Sequence, residues 1–125
     1  ISESGNHDNR NYEDDWGERY IGLLTPTKDG DNYEQQANQN FAENLQGKLL
    51  LAHGGLDDNV PPYNTYLVVD ALIDANKDFD LIIFPNASHG YGEDSYYMMR
   101  RRWDYFVKNL LGATPPENFE IEPVR

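Results

Sequence analysis

The chain has no cysteine, so neither a disulfide framework nor a thiolate metal site is open to it, and its redox compartment is left unconstrained. Positive charge is scarce: 10 Lys and Arg stand against 22 Asp and Glu, a formal net charge of −12. That balance argues against nucleic acid and anionic membrane as partners and for a solvated acidic surface. No apolar run approaches the ~18 residues that a membrane-spanning helix needs. No leader-like stretch opens the chain, and because it begins at Ile1 rather than Met, that says nothing of its destination. At 125 residues it is one domain at most, with a modest core.

The most informative stretch runs from Lys48 to Pro62. Leu49–His53 is an apolar run without polar alternation, as expected of a parallel strand covered on both faces. Gly54-Gly55 then turns the chain and delivers Asp57, Asp58 and Asn59, after which Pro61-Pro62 opens a helix, where a missing N–H costs nothing. That helix is expected over Tyr63–Asn76, with Tyr63, Leu67, Ala71, Leu72 and Ala75 on its apolar stripe. The arrangement repeats. A strand Phe79–Phe84 ends at Pro85, Asn86-Ala87-Ser88-His89-Gly90 forms the turn, and a helix covers about Asp94–Leu111. Its apolar stripe reads Met99, Trp103, Phe106, Leu110, and Gly112 stops it.

Upstream, Tyr12, Trp16 and Tyr20 fall at helical spacing within a helix expected over 12–24. Thr25–Asp31 is turn-rich. A second helix is expected over about 32–44, with Asp31 as its N-cap and Tyr33, Ala37 and Phe41 buried. The order α, α, β, α, β, α holds only two strands, too few for a stable sheet. The reading is therefore α/β: a partial parallel sheet flanked by helices, the carboxyl-terminal part of a larger domain over 1–112, with 113–125 as an extended tail.

Asp57 and His89 each follow a strand and lie 89 − 57 = 32 residues apart, room for one crossover helix. Turns at the carboxyl ends of parallel strands are where open α/β sheets place their sites. A serine hydroxyl needs a histidine to take its proton, and that histidine needs a buried carboxylate to fix its tautomer. Acid before base is the chain order of an α/β-hydrolase. Periodicity alone leaves Asp57 and Asp58 equal as the acid, and leaves open that either merely caps the turn. Asn59 has a competing role as a helix cap. His53 reads as a locally packed histidine. Glu13-Asp14-Asp15 with His7 and Asp8 would offer oxygen ligands to a cation, but a solvated acidic patch fits better. Arg100-Arg101-Arg102 fits intramolecular ion pairing better than an anion site. The sequon Asn86-Ala87-Ser88 abuts His89, where a glycan would block substrate.

These residues carry a family resemblance. Ile1–Gly5, Tyr12–Leu23, His53-Gly54-Gly55-Leu56-Asp57-Asp58-Asn59-Val60, Ser88-His89-Gly90 and Arg102–Phe106 resemble the catalytic domain of the prolyl oligopeptidase family, above all its dipeptidyl peptidase IV branch. The resemblance spans nearly all of 1–112 and implies the carboxyl-terminal portion of an α/β-hydrolase fold. It implies Asp57 as triad acid and His89 as base, Asn59 as hydrogen-bond partner of a substrate carbonyl, and Val60, Tyr12 and Trp16 as walls of a small pocket for proline or alanine. The position of Trp16 is commonly Tyr in that family. The implied substrate is a peptide with a free amino terminus, cut after Xaa-Pro or Xaa-Ala, without cofactor or metal. A homodimer through the last helix and a periplasmic or secreted parent are implied as well. The family's Gly-x-Ser-x-Gly elbow is missing: Ser2, Ser4, Ser88 and Ser95 all lack that context. The family's amino-terminal β-propeller is missing too. A fragment inactive by itself is therefore expected. The rivals are another activity of the family, such as acylaminoacyl peptidase, and a non-catalytic interaction module.

Overall fold

The computed structural model describes residues 1–122. Its centre is a three-stranded sheet in the order β1 (Ser2–Glu3), β4 (Leu50–Gly54), β5 (Asp80–Phe84). Both pairings are parallel, and β4 meets β5 rung for rung from Leu50↔Asp80 to Gly54↔Phe84. β1 is a strand that the expected order of elements did not contain. Its two residues pair with Leu51 and Ala52, too short a run to show an apolar period.

Layers cover both faces. On one, Leu50, Ala52, Phe84, Ala87, Tyr91 and Met98 form a core that includes α3 (Ser95–Asn109). On the other, Leu51 meets Val68 and Leu72 of α2 (Tyr63–Asp74) and Ala42 from the preceding segment. Pro62 stands directly before α2, as the Pro-Pro pair predicts. Asn76 takes φ 52° just past its end, and the Lys77 amide donates to the Leu72 carbonyl at 2.9 Å, a left-handed stop.

The expected helix over 32–44 is corrected to two 3-10 segments, Glu34–Gln36 and Asn38–Asn44, with Ala37 extended between them. Asn32, Asn38, Asn40 and Asn44 make this stretch poor in helix propensity. Asp31 still caps the start, accepting from the Tyr33 and Glu34 amides at 2.8 and 2.7 Å. Tyr33 and Ala37 are buried, but Phe41 is exposed and Ala42 takes the core position instead, because the tighter 3-10 turn rotates successive residues further. The helix expected over 12–24 shortens to α1 (Asp14–Ile21), and Pro26–Thr27 (β2) with Gly30–Asp31 (β3) makes a small antiparallel hairpin.

Both apolar stripes are shifted. In α2 the buried line is Asn64, Thr65, Val68, Leu72, while Tyr63 is exposed. In α3 it is Met98 that is fully buried, with Tyr105 partly so, whereas Trp103, Phe106 and Leu110 face outward. Arg102 ties α3 to β1 through a bidentate pair with Glu3, 2.6 and 2.7 Å. Gly112 takes φ 65° beyond α3. Residues 118–121 then lie along α3, leaving a cleft of about 510 Å³ between them and Tyr96, Tyr97 and Arg100. The last three residues of the expected tail lie outside the described residues.

Candidate active site

The Gly54-Gly55 turn decides how close the two strand ends come. A Cβ on Gly54 would stand 2.5 Å from the carbonyl oxygens of both Ala87 and Ser88, and one on Gly55 would stand 2.7 Å from that of Pro85. No other residue leaves room for this approach. Backbone bonds lock it: the Gly55 amide donates to the Phe84 carbonyl at 2.8 Å and the Leu56 amide to that of Ala87 at 3.0 Å. The two turns are thereby fastened together, and Asp57 and His89 meet.

His89 Nδ1 lies 2.9 Å from Asp57 Oδ2. The Asp57 side chain is fully enclosed, and the His89 side chain is 42% exposed. Asp57 Oδ1 accepts from the Asn59 and Val60 amides at 3.0 and 2.9 Å. Asp57 is thus both turn cap and histidine partner, two roles the sequence presented as alternatives, while Asp58 points into solvent. Burial pushes the Asp57 carboxyl up. The Val60 amide, the hydrogen bond and charge of His89, and the Asn59 amide outweigh it and hold the group below the usual carboxylate range. A carboxylate facing Nδ1 places that proton on Nδ1, so Nε2 keeps its lone pair at the exposed end of the ring. The pair can accept a proton from outside and stabilise the resulting imidazolium.

Asn59 is exposed, and its Oδ1 accepts from the Tyr12 hydroxyl at 2.8 Å. It does not cap α2, whose N-cap position is Pro62. Tyr12 lies just before α1 and packs edge-on to Trp16, ring centroids 6.2 Å apart, and Trp16 stacks in turn on Tyr20 at 4.6 Å. Trp16 is 49% exposed and Val60 is buried. The structure therefore joins Tyr12, Trp16 and Asn59 into one exposed rim, and joins Asp57, Val60 and His89 through backbone and side-chain bonds.

Sequence reasoning missed a polar layer under this site. His53, fully buried, places Nδ1 2.7 Å from Thr65 Oγ1 and Nε2 2.9 Å from the Val60 carbonyl, with Asp57 Oδ2 at 3.2 Å from the same nitrogen. Buried Asn64 accepts from the Asp8 amide at 3.0 Å. His7 accepts at Nδ1 from the Asn38 amide nitrogen at 2.8 Å, and burial, then the nearby His53, pushes its imidazole down. No signal in the sequence pointed to Asn64 and Thr65, whose partners lie in other segments. The acidic stretch Glu13-Asp14-Asp15 is solvated while His7 and Asp8 are buried, with Asp8 paired to Arg10 at 2.7 Å. Among the described residues no group of His, Asp and Glu could hold a metal ion, and no helix is long and apolar enough to cross a membrane. Arg100 and Arg102 form ion pairs with Asp104 and Glu3.

Comparison with known proteins finds one family. The profile of the prolyl oligopeptidase family matches residues 1–113. Bovine (Bos taurus) dipeptidyl peptidase 4 is 38% identical over 102 residues, covering 80% of this chain and 13% of the relative. The crystal structure of Porphyromonas gingivalis dipeptidyl peptidase 4 superposes with a TM-score of 0.71 at 33% identity, over 84% of this chain and 15% of that one. A puromycin-hydrolysing peptidase of Mycobacterium tuberculosis has the same fold, with a TM-score of 0.73 over 95% of this chain and 19% of that one, at 21% identity. The fold is that of an α/β-hydrolase peptidase, of which these residues form a part.

Proposed function

Since this chain belongs to the prolyl oligopeptidase family, we propose that it is the part of a serine exopeptidase that supplies the acid and base of the catalytic triad. Asp57 is the acid and His89 the base. The observation that carries the reading is the bond from His89 Nδ1 to a carboxylate sealed from solvent, 2.9 Å long, with the rest of the ring open. His89 Nε2 takes the proton of a serine hydroxyl as its oxygen bonds to the scissile carbonyl carbon. The imidazolium, stabilised by Asp57, then returns that proton to the leaving amine as the C–N bond breaks. Water repeats the cycle on the acyl-enzyme. The nucleophile comes from outside these 125 residues, so the segment alone turns nothing over.

The substrate is a peptide with a free amino terminus, cut after Xaa-Pro or Xaa-Ala. The Tyr12 hydroxyl occupies Asn59 Oδ1, which leaves the amide NH₂ to donate to a substrate carbonyl, and Tyr12, Trp16 and Val60 wall the side-chain pocket. The chain spans 13% of its bovine relative, so residues 1–112 are read as the end of a larger catalytic domain and the residues after them as a tail. The outward face of α3, with Trp103 54% and Leu110 75% exposed, supports a homodimer through the last helix. A monodisperse monomer in light scattering would count against that. The same face favours the second reading, an interaction module without catalysis.

A fluorophosphonate probe on the full-length enzyme separates the two. A label on an upstream serine, lost in His89→Ala together with at least ~10³-fold in dipeptide release, is the expected result. Absence of label in the unmutated enzyme overturns the peptidase reading. Cleavage of blocked rather than free-amine substrates would move the activity to an acylaminoacyl peptidase.

A further inference from the structure

We propose that His53 is a positioning residue for the triad acid, its Nε2–H held by the Val60 carbonyl beside the same Asp57 oxygen that His89 uses, where its dipole acts on the carboxylate. This rests on the reading of Asp57 and His89 as acid and base. Both neighbours of His53 Nε2, the Val60 carbonyl at 2.9 Å and Asp57 Oδ2 at 3.2 Å, are acceptors. The proton is therefore on Nε2, directed to the Val60 carbonyl with Asp57 Oδ2 beside it, and Nδ1 accepts from the Thr65 hydroxyl at 2.7 Å. The Val60 carbonyl, which can only accept, thus sets the tautomer of His53 as Asp57 sets that of His89.

A carboxylate offers about four lone-pair sites, and Asp57 has three hydrogen-bond donors, two amides on Oδ1 and His89 on Oδ2, with the His53 ring nitrogen beside Oδ2 at 3.2 Å. The two imidazoles differ in mobility. The His89 side chain is 42% exposed and sits on a turn, whereas His53 lies within β4, is wholly buried and is backed by α2. When the His89 ring moves to carry a proton, His53 keeps Oδ2 aimed. It also shares the carboxylate's negative charge, so His89 holds its Nδ1 proton against a less basic oxygen. His7 also stands near His53, which disfavours the charged form of the His7 ring.

The test is ¹⁵N-histidine NMR of the chain through a pH titration. The ring nitrogens of His53 are expected to report the Nε2–H tautomer, and its Nε2 resonance to move as His89 titrates. An Nδ1–H tautomer, or a His53 resonance blind to His89, overturns the proposal. Substitution supplies a second arm. His53→Phe fills the space without a donor and raises the His89 midpoint by ~0.5–1 pH unit, while His53→Gln keeps a donor and leaves it within ~0.2. Equal midpoints in the two variants mean that the ring only fills space. If the Phe ring disrupts folding, His53→Leu reads the same loss of a donor: a raised His89 midpoint is expected, and one within ~0.2 of the unmutated protein counts against the proposal. Asp57→Asn distinguishes the levels. An unmoved His89 midpoint there defeats the acid–base reading itself, whereas a moved one beside an inert His53→Phe defeats only the role of His53.

Discussion

β4 and β5 have five residues each, run parallel and pair at every rung, yet the molecule treats them differently. All five β4 residues are buried, while β5 passes from exposed at Asp80 and Leu81 to buried only at Phe84. The turns follow suit: the one after β4 buries Asp57, and the one after β5 leaves His89 half in solvent. β4 is flanked by strands on both sides and covered by a layer on each face, whereas β5 is an edge strand. In the proposed roles, the buried strand holds the acid rigidly and the border strand leaves the base open. The contrast would then divide the pair's work between a fixed charge and an accessible proton acceptor.

The largest effect should come from uncoupling the two turns. Gly54→Val puts side-chain carbon against two backbone carbonyls and should cost ~3 kcal/mol or more, seen as a lowered urea midpoint and loss of the Asp57–His89 coupling in an NMR titration. Normal stability in that variant would mean that the turns do not depend on the close approach. Next is a pair on one rung. Leu51 and Leu81 are register partners, 1% and 40% exposed. Leu51→Ala should cost ~2–5 kcal/mol and Leu81→Ala under ~1 kcal/mol by urea denaturation. Equal costs would erase the contrast between the strands.

Acid should act in two stages. His7 is held below its ordinary value of ~6.5 by burial and by His53, so the unfolded chain binds more protons than the folded one below that pH, and stability falls as pH drops from there. Asp57 and Asp8 are held below the carboxylate range: in both, burial pushes up and is outweighed, by backbone amides and His89 at Asp57 and chiefly by Arg10 at Asp8. Their contribution is present above ~3.9 and is lost as pH falls through their folded values. His7→Gln should flatten the first limb of a pH–stability curve and leave the second. The smallest change is expected on the open face of α3, where Trp103→Ser should shift stability by under ~0.5 kcal/mol while reducing self-association in light scattering. A large loss would mean that this face packs within the chain.

The elements that run on strong local signals were legible. The apolar runs of β4 and β5, the Pro-Pro start of α2 and the Gly112 stop announce themselves. The stripes of α2 and α3 did not. Trp103, Phe106 and Leu110 have the right spacing and the right chemistry, but apolar spacing shows that a face needs covering, not what covers it. Asn64 and Thr65 were invisible for the converse reason: polar residues belong inside a helix–strand contact only when partners such as the Asp8 amide and His53 are known to be there. The helix expected over 32–44 failed where four asparagines weakened the propensity that an apolar spacing suggested.

The sequence by itself determined the two β-turn-α units, the order of Asp57 before His89, and the glycine pair that lets the turns touch, because backbone preference, apolar runs and the lack of a Cβ are local properties. Periodicity left Asp57 and Asp58 equal and the family resemblance chose Asp57; tertiary structure alone decided that the Asp57 carboxylate also caps its own turn, that His53 lies 3.2 Å from it, and that β1 pairs with β4. Each of these depends on which groups meet in the folded chain, and a hydrogen bond between residues 32 apart leaves no period in the chain.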